Sequence, residues 1–346
     1  MPRELVAIAP RTPVLREYEE PELQPRQVRV RSEFSSPKHG TELGLYRDTS
    51  PFSRRRYDPE WQLFLSREEP TSGFPLPLGN MTVGTVVEVG PEVRQFQVGD
   101  RVFGHLPISE THTVAEARLH PMPPDMTPEQ VVYWDPAEFA LGAVRDANVR
   151  LGDRVAVFGL GAIGFMVLQM SKLSGAEWVV AVDPLPNRRE LALQHGADEV
   201  LDPAAVDVGL TIKQMTGKRG VDVAIEASGS YAALHEAIRC LHFGGLVVPL
   251  AFYQGEATGL RLGEEWHLNR ITMCSSRSIS DPNRDHPHWD SQRIKECAFR
   301  LLREKKLSVA GLIAPIVPLD QAAEAYRLID EAPERCVKLG IVYPQP

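Results

Sequence analysis

The chain has 346 residues, enough for two domains with cores of their own. Its 43% hydrophobic and 24% charged residues suit an ordinary globular protein, and a net charge of -8 without any basic tract argues against nucleic acid. No apolar run approaches the ~20 residues that span a bilayer, and residues 1–13 lack the core of a signal peptide, so a cytoplasmic location is expected.

In chain order, residues 5–9 and 28–34 read as strands, the second alternating apolar and polar. A polar, proline-containing turn over residues 35–42 carries Lys38, His39, Thr41 and Glu42, and Tyr46 follows it. Residues 47–78 show no regular pattern. A loop of that length is commonly a lid or binding loop, and the Arg54-Arg55-Arg56 cluster would then face an anionic group. A solvated surface loop is the alternative. Residues 79–90 and 98–102 are strands punctuated by glycine turns, as in a small β-barrel. Thr127, Pro128 and Gln130 form a helix start with a capping box. Asp135-Pro136 precedes a second helix over residues 137–148.

The densest signal lies between Arg154 and Asp183. An apolar run over residues 155–158 predicts a strand buried on both faces. Gly159-Leu160-Gly161-Ala162-Ile163-Gly164 follows, then Met166, Val167, Met170 and Leu173 at helical spacing, then a second apolar run ending on Asp183. Each glycine has its own task in such a unit. Gly159 permits the tight turn, Gly161 lets a pyrophosphate approach the backbone, and Gly164 lets helix and strand pack closely. The helix N-terminus offers N–H groups to phosphate. An acid ~20 residues beyond accepts a hydrogen bond from the ribose 2′-hydroxyl and repels a 2′-phosphate, which favours NAD. The nearby Arg188 and Arg189 pull the other way.

From there helices and strands alternate. Helices are predicted over residues 187–194, 208–216 and 231–241, and strands over 199–201, 221–226, 246–250 and 271–275. With the first two strands these make a six-stranded, doubly wound parallel sheet of Rossmann type. Amphipathic helices over 291–304 and 319–329 follow, with Asp320 as a candidate cap, and then a strand over 337–342. The four cysteines, Cys240, Cys274, Cys297 and Cys336, form no CxxC pair and read as reduced, mostly buried thiols.

Gly84 to Gly90 (GTVVEVG), Val98 to Val102 (VGDRV), the glycine unit at 159–164 and the Lys338-Leu339-Gly340 tail together resemble the medium-chain dehydrogenase/reductase superfamily, in particular its alcohol, polyol and sugar dehydrogenases. The resemblance runs nearly the whole length. It implies an α/β fold with a GroES-like β-barrel domain beside the Rossmann sheet, a cleft between the two, and homodimers joined through Rossmann sheet edges. The expected divisions are a GroES-like catalytic domain at 1–143, an NAD-binding domain at 144–283 and a return to the catalytic domain at 284–346. By the same resemblance His39 stands where zinc members have a Cys ligand. Gly79-Asn80-Met81 replaces their Gly-His-Glu, Asp135 stands where polyol members have Glu, and the four-cysteine structural lobe is missing.

Zinc takes three or four Cys, His or carboxylate ligands, and Asn and Met are poor substitutes. No catalytic zinc is therefore expected, a rearranged set of His39, Glu42 and Asp135 being the alternative. The reacting oxygen then falls to His39, Thr41, Tyr46, Lys38 and Asp135 as catalytic candidates. The cofactor candidates are Gly159, Leu160, Gly161, Ala162, Ile163, Gly164, Asp183 and Arg188, with Ala227, Ser228, Phe252, Ser275 and Ser276 beyond later strands. The leading reading is an NAD-dependent oxidoreductase acting on a secondary alcohol, sugar or polyol, or the matching ketone. The alternatives are a zinc-less NAD(P)H enone or quinone reductase, a non-catalytic NAD-binding protein, and an epimerase or lyase that recycles bound NAD. The implied partner is a small molecule, with no nucleic acid and no membrane.

Overall fold

The computed structural model describes residues 1–67, 73–277 and 280–344. The chain forms two compact units, residues 1–132 with 313–346, and residues 133–312. Among the described residues no helix is long and apolar enough to cross a membrane.

The second unit is built on a six-stranded sheet. Its order is Glu199–Leu201, Trp178–Val182, Arg154–Phe158, Val221–Glu226, Leu241–Pro249, Thr272–Met273, and every neighbouring pair is parallel. Chain order runs outward in both directions from Arg154–Phe158, so the topological switch lies at that strand's carboxyl end. Phe158 pairs with Val182 on one side and Glu226 on the other. Gly159, Asp183 and Ala227 therefore leave the sheet side by side. The apolar runs form strands because both faces are covered: on one, Ala156, Phe158, Val180, Ala224 and Val247 pack with Ile212, Leu234 and Ile238 of the flanking helices, and on the other Val155, Val157 and Val179 are fully buried.

The helices Trp134–Asp146 and Ser291–Arg303 also belong to this unit. Ile294, Ala298 and Leu302 are the buried stripe of the latter, and the Trp134 indole donates to Lys295 O at 3.0 Å. The first compact unit is thus left at residue 132 and rejoined at 313, beside the sequence-based divisions at 143 and 284. The polar outer face of Ser291–Arg303 hid its attachment, because an amphipathic stripe does not say which core it covers. The Tyr133 hydroxyl donates to Leu312 O at 3.0 Å, which ties together the two ends of the second unit.

The first unit holds a seven-stranded sheet in which Gln27–Ser36 is central, pairing antiparallel with Met81–Val89, Thr111–Ala115 and Gly340–Val342. A three-stranded sheet of Thr12–Glu17, Arg3–Ala9 and Leu76–Pro77 completes it. The capping box at Thr127 is present, with Gln130 N donating to Thr127 Oγ1 at 3.4 Å and Thr127 N to Gln130 Oε1 at 2.9 Å. Residues 35–42 are not a turn. The strand continues through Ser36 and a helix, His39–Tyr46, begins three residues later. The serines are compatible with a strand because Ser35 Oγ bonds Thr82 Oγ1 at 2.7 Å and Ser36 Oγ donates to Leu339 O at 2.7 Å. Within 47–78 the chain forms a hairpin, Arg55–Asp58 with Leu63–Ser66, that exposes Tyr57, Trp61 and Phe64. Asp320 caps nothing; it lies in a 3-10 turn and pairs with Arg3 at 2.5 Å.

His112, opposite Val30 in the central pairing, is buried, and that burial pushes its imidazole down to about 3. The unfolded chain holds this proton near 6.5, so the folded state binds fewer protons between those values. Its contribution to stability is complete above pH 6.5 and is lost as pH falls towards 3. His112→Leu should flatten the pH dependence of stability in that window, as read by urea denaturation from pH 7 to 4. A slope identical to that of the unaltered protein would contradict this.

Candidate functional site

The glycine turn follows from close packing. Gly159 has φ +86°, and a Cβ there would lie 2.7 Å from Ser228 N. A Cβ on Gly164 would lie 1.9 Å from Gly159 O, which is why the helix Ala162–Leu173 can sit so near the strand. Gly161 is different: a Cβ there meets nothing within 4 Å. Its glycine is not demanded by the protein's own atoms. Ala162 and Ile163 form the first turn of the helix and are half-buried.

Asp183 is buried at the end of Trp178–Val182. Its carboxylate accepts from Leu160 N at 2.7 Å and Leu185 N at 2.9 Å, and Arg188 Nη1 lies 3.8 Å away. The acid therefore fastens the glycine turn, a task that sequence spacing does not reveal. Two oxygens offer about four acceptor positions, so capacity for a ligand hydroxyl remains. Arg189 donates to the Asp183 backbone O at 2.7 Å and pairs with Asp202 at 3.0 Å.

The neighbouring strand ends on Glu226, fully buried. Its carboxylate accepts from Ser228 N at 2.8 Å, Gly229 N at 3.1 Å, the Ser228 hydroxyl and the Tyr253 hydroxyl. Burial pushes this carboxyl above its usual range, against those donors. Burial also raises the Tyr253 phenol, as does the Glu226 charge. Glu226 was not singled out from the sequence, although an acid closing a largely apolar strand was a legible signal. Ala227 and Ser228 follow directly; Phe252 and Ser275 are exposed, and Ser276 is buried.

A cavity of about 470 Å³ opens at these strand ends. Gly159, Asp183, Ser228, Ser230, His235 and Arg261 are among its lining residues. It has the size, the concavity and the few polar groups of a small-molecule site.

In the first unit three distant segments converge. His39 Nε2 accepts from Leu339 N at 3.2 Å, and Lys338 Nζ donates to Pro37 O at 2.8 Å. Glu42 accepts from Lys38 N at 2.6 Å, Gly79 N at 2.9 Å and the Tyr326 hydroxyl at 3.0 Å. Burial pushes the Glu42 carboxyl upward, opposed by these donors and by Lys338. Gly79 must be glycine, because φ is +111° and a Cβ would meet Ile108 N at 2.6 Å. Asn80 carries a buried amide nitrogen without a hydrogen-bond partner, and Met81 is wholly core.

Of the catalytic candidates, Thr41 is exposed in the first turn of His39–Tyr46, while Lys38 and His39 are half-buried. Tyr46, the fourth of these candidates, lies in the core. It is fully buried with its ring 5.2 Å from that of Tyr326, and burial beside Asp330 and Glu331 raises its phenol to about 12. Asp135, in the second unit, is buried in the first turn of Trp134–Asp146.

Because Gly164 faces Gly159 O at contact distance, Gly164→Ala should destabilise the second unit by roughly 2 kcal/mol or more through overpacking. Thermal denaturation would show it, and an unchanged melting temperature would disprove the packing argument.

The comparisons with known proteins agree with this geometry. Residues 56–122 match the family model for the alcohol dehydrogenase GroES-like domain, and residues 162–293 that for zinc-binding dehydrogenase. The D-guloside 3-dehydrogenase of Escherichia coli K12 is 42% identical over 349 aligned positions, covering 99% of this chain and 100% of that protein. The crystal structure of 2R,3R-butanediol dehydrogenase from Bacillus subtilis covers 100% of both chains with a TM-score of 0.76 at 25% identity. A zinc-binding dehydrogenase from Sinorhizobium meliloti 1021, bound to NADP, superimposes with a TM-score of 0.75 at 20% identity and 99% coverage of each chain, a likeness of fold. The chain belongs to the medium-chain dehydrogenase/reductase superfamily, a family of oxidoreductases.

Proposed function

We propose that the protein is an NAD-dependent oxidoreductase that moves a hydride between the nicotinamide and a secondary hydroxyl of a sugar or polyol, or the matching ketone, without a catalytic zinc. One observation carries the cofactor half: the 470 Å³ cavity is walled by both Gly159 of the turn and Asp183. The open space at Gly161 supports the same reading, since a ligand phosphate is what would need it. NAD is preferred over NADP because Asp183 lines the cavity, whereas Arg188 approaches Asp183 and Arg189 is paired with Asp202. The full-length likeness to a protein named for oxidising D-gulosides at position 3 supports a sugar-ring hydroxyl as the reacting group.

Zinc does not fit the donors of the first unit. Asn80 and Met81 are poor ligands, and Met81 is packed in the core. The Glu42 carboxylate is taken up by two backbone N–H groups and a phenol. Among the described residues of that unit, no three His, Cys, Asp or Glu ligand atoms lie within 4.8 Å of one another.

Once bound, the nicotinamide is the hydride acceptor or donor; the protein's own groups handle the oxygen and its proton. His39 accepts a backbone N–H at Nε2, so its neutral ring carries hydrogen at Nδ1. It acts as a hydrogen-bond donor to the developing alkoxide more readily than as a base. Thr41, exposed beside it, relays the hydroxyl proton towards solvent. Lys38 and Asp135 are retained as secondary charged candidates. A homodimer through sheet edges is part of the proposal, Thr272–Met273 being an exposed edge strand of the parallel sheet.

Two experiments test this. Gly161→Ala should fold like the unaltered protein yet bind NADH at least tenfold more weakly by fluorescence, because its new methyl would meet only ligand. Unchanged affinity would remove the dinucleotide from the turn. Protein purified without added metal should oxidise pyranosides bearing a free 3-hydroxyl with NAD, and His39→Ala should lower kcat about a hundredfold. Stoichiometric zinc whose removal abolishes turnover would overturn the zinc-free mechanism.

A further inference from the structure

The hairpin of Arg55–Asp58 and Leu63–Ser66 stands apart from the other sheets of the first unit; among the described residues it pairs with no further strand. A two-stranded ribbon is marginal by itself, and three rings hold this one together. Phe64 lies 5.3 Å from Phe52 and 5.5 Å from Tyr57, its cross-strand partner. The tip is fixed as well. Asp58 accepts from Glu60 N and Trp61 N, each at 3.1 Å, and pairs with Arg56 at 3.0 Å. The rings do not close fully on one another. Phe52, Tyr57 and Phe64 stay 43%, 48% and 39% exposed, so a preformed aromatic face is offered to solvent.

Strand alternation decides what else belongs to that face. Arg55 and Tyr57 share it, with Ser66 and Phe64 opposite them, whereas Arg56 and Asp58 lie on the other face and satisfy each other. Among the described residues Arg55 forms no ion pair. The face thus sets ring surfaces beside an uncommitted guanidinium. A lipid surface or an apolar partner would bury that charge unpaired. A second copy seated on the face by a two-fold axis would bury two such charges, with no acid on the face to meet them. A pyranose ring fits better, because its C–H faces are apolar and its rim carries acceptor oxygens.

The same segment bears the groups assigned to the reacting oxygen. Thr49 N and Ser50 N donate to Gly44 O at 2.9 and 3.0 Å, which fastens the base of the hairpin to the helix His39–Tyr46. Gly44 is only about 7.5 Å of helix rise beyond His39.

We infer that this face is a subsite for the outer ring of a glycoside, the ring that is not oxidised. That ring stacks on Tyr57 and Phe64 while Arg55 donates to its oxygens, so a disaccharide is preferred to a simple alkyl glycoside. This rests on the sugar reading given above and extends it to the part of the substrate that does not react.

The test is steady-state oxidation, with NAD, of methyl D-gulopyranoside and of a D-gulosyl-glucose disaccharide. The unaltered protein should favour the disaccharide about tenfold in kcat/KM, chiefly through KM. Tyr57→Ala and Arg55→Gln should each remove most of that preference, and Tyr57→Phe should keep it within about threefold. Equal kcat/KM for the two glycosides in the unaltered protein, variants that slow both glycosides alike, or a loss as large in Tyr57→Phe as in Tyr57→Ala would each overturn the subsite. A fall in molar mass of Tyr57→Ala by light scattering would overturn it too, by showing the face to be a contact between copies. If neither glycoside is oxidised, the reading as a sugar oxidoreductase falls, and the subsite is judged separately by calorimetry with the disaccharide. Uptake that Tyr57→Ala abolishes would uphold it, and no uptake would end it.

Discussion

The hydrogen bond from Leu160 N to the Asp183 carboxylate, at 2.7 Å, joins the ends of two adjacent parallel strands across the start of the glycine turn. A charged acceptor makes such a bond worth ~1.5–3 kcal/mol, more than a neutral pair. It holds the turn down while Gly164 lets the following helix sit against Gly159 O. Everything proposed for the cofactor depends on that posture, because it aims the first N–H groups of the helix outward from the sheet's carboxyl edge. Asp183 is then both a clamp and a wall of the cavity. Its removal would confuse a binding defect with a folding defect, whereas Gly161 separates the two.

The parallel sheet was legible because its signals are local. Residues 155–158 and 179–182 are uninterrupted apolar runs, with a shorter one at 223–225, and strands buried on both faces admit little else. The cap at Thr127 was equally plain. The barrel unit was harder, since its strands carry serines and threonines whose hydroxyls are satisfied by chain far along the sequence, as with Ser35 and Thr82 or Ser36 and Leu339. Nothing near Ser36 announces that partner. The unit boundary at 313 was hidden for a similar reason, and so was the core position of Tyr46, which depends on Tyr326.

The candidate sites divided along the same line. The glycine turn and its acid belong to one short stretch and could be read directly. Glu226 with Tyr253, and His235 with Arg261, are pairs assembled by the fold from separate elements. In the first unit, His39 and Glu42 sit four residues or fewer from Lys38, yet what they do is set by Leu339, Gly79 and Tyr326. The backbone N–H of Leu339 fixes which nitrogen of His39 carries hydrogen, a chemical property no spacing rule encodes.

The bond between the Tyr133 hydroxyl and Leu312 O has a consequence for how the molecule is made. Residues 133–312 form an uninterrupted insert whose two ends are stapled together, while the host unit is split and its strand Gly340–Val342 is made only after the insert. On the ribosome the insert can therefore complete its core before the host's sheet is finished. An insert anchored in this way can also be traded for another without prying its host apart.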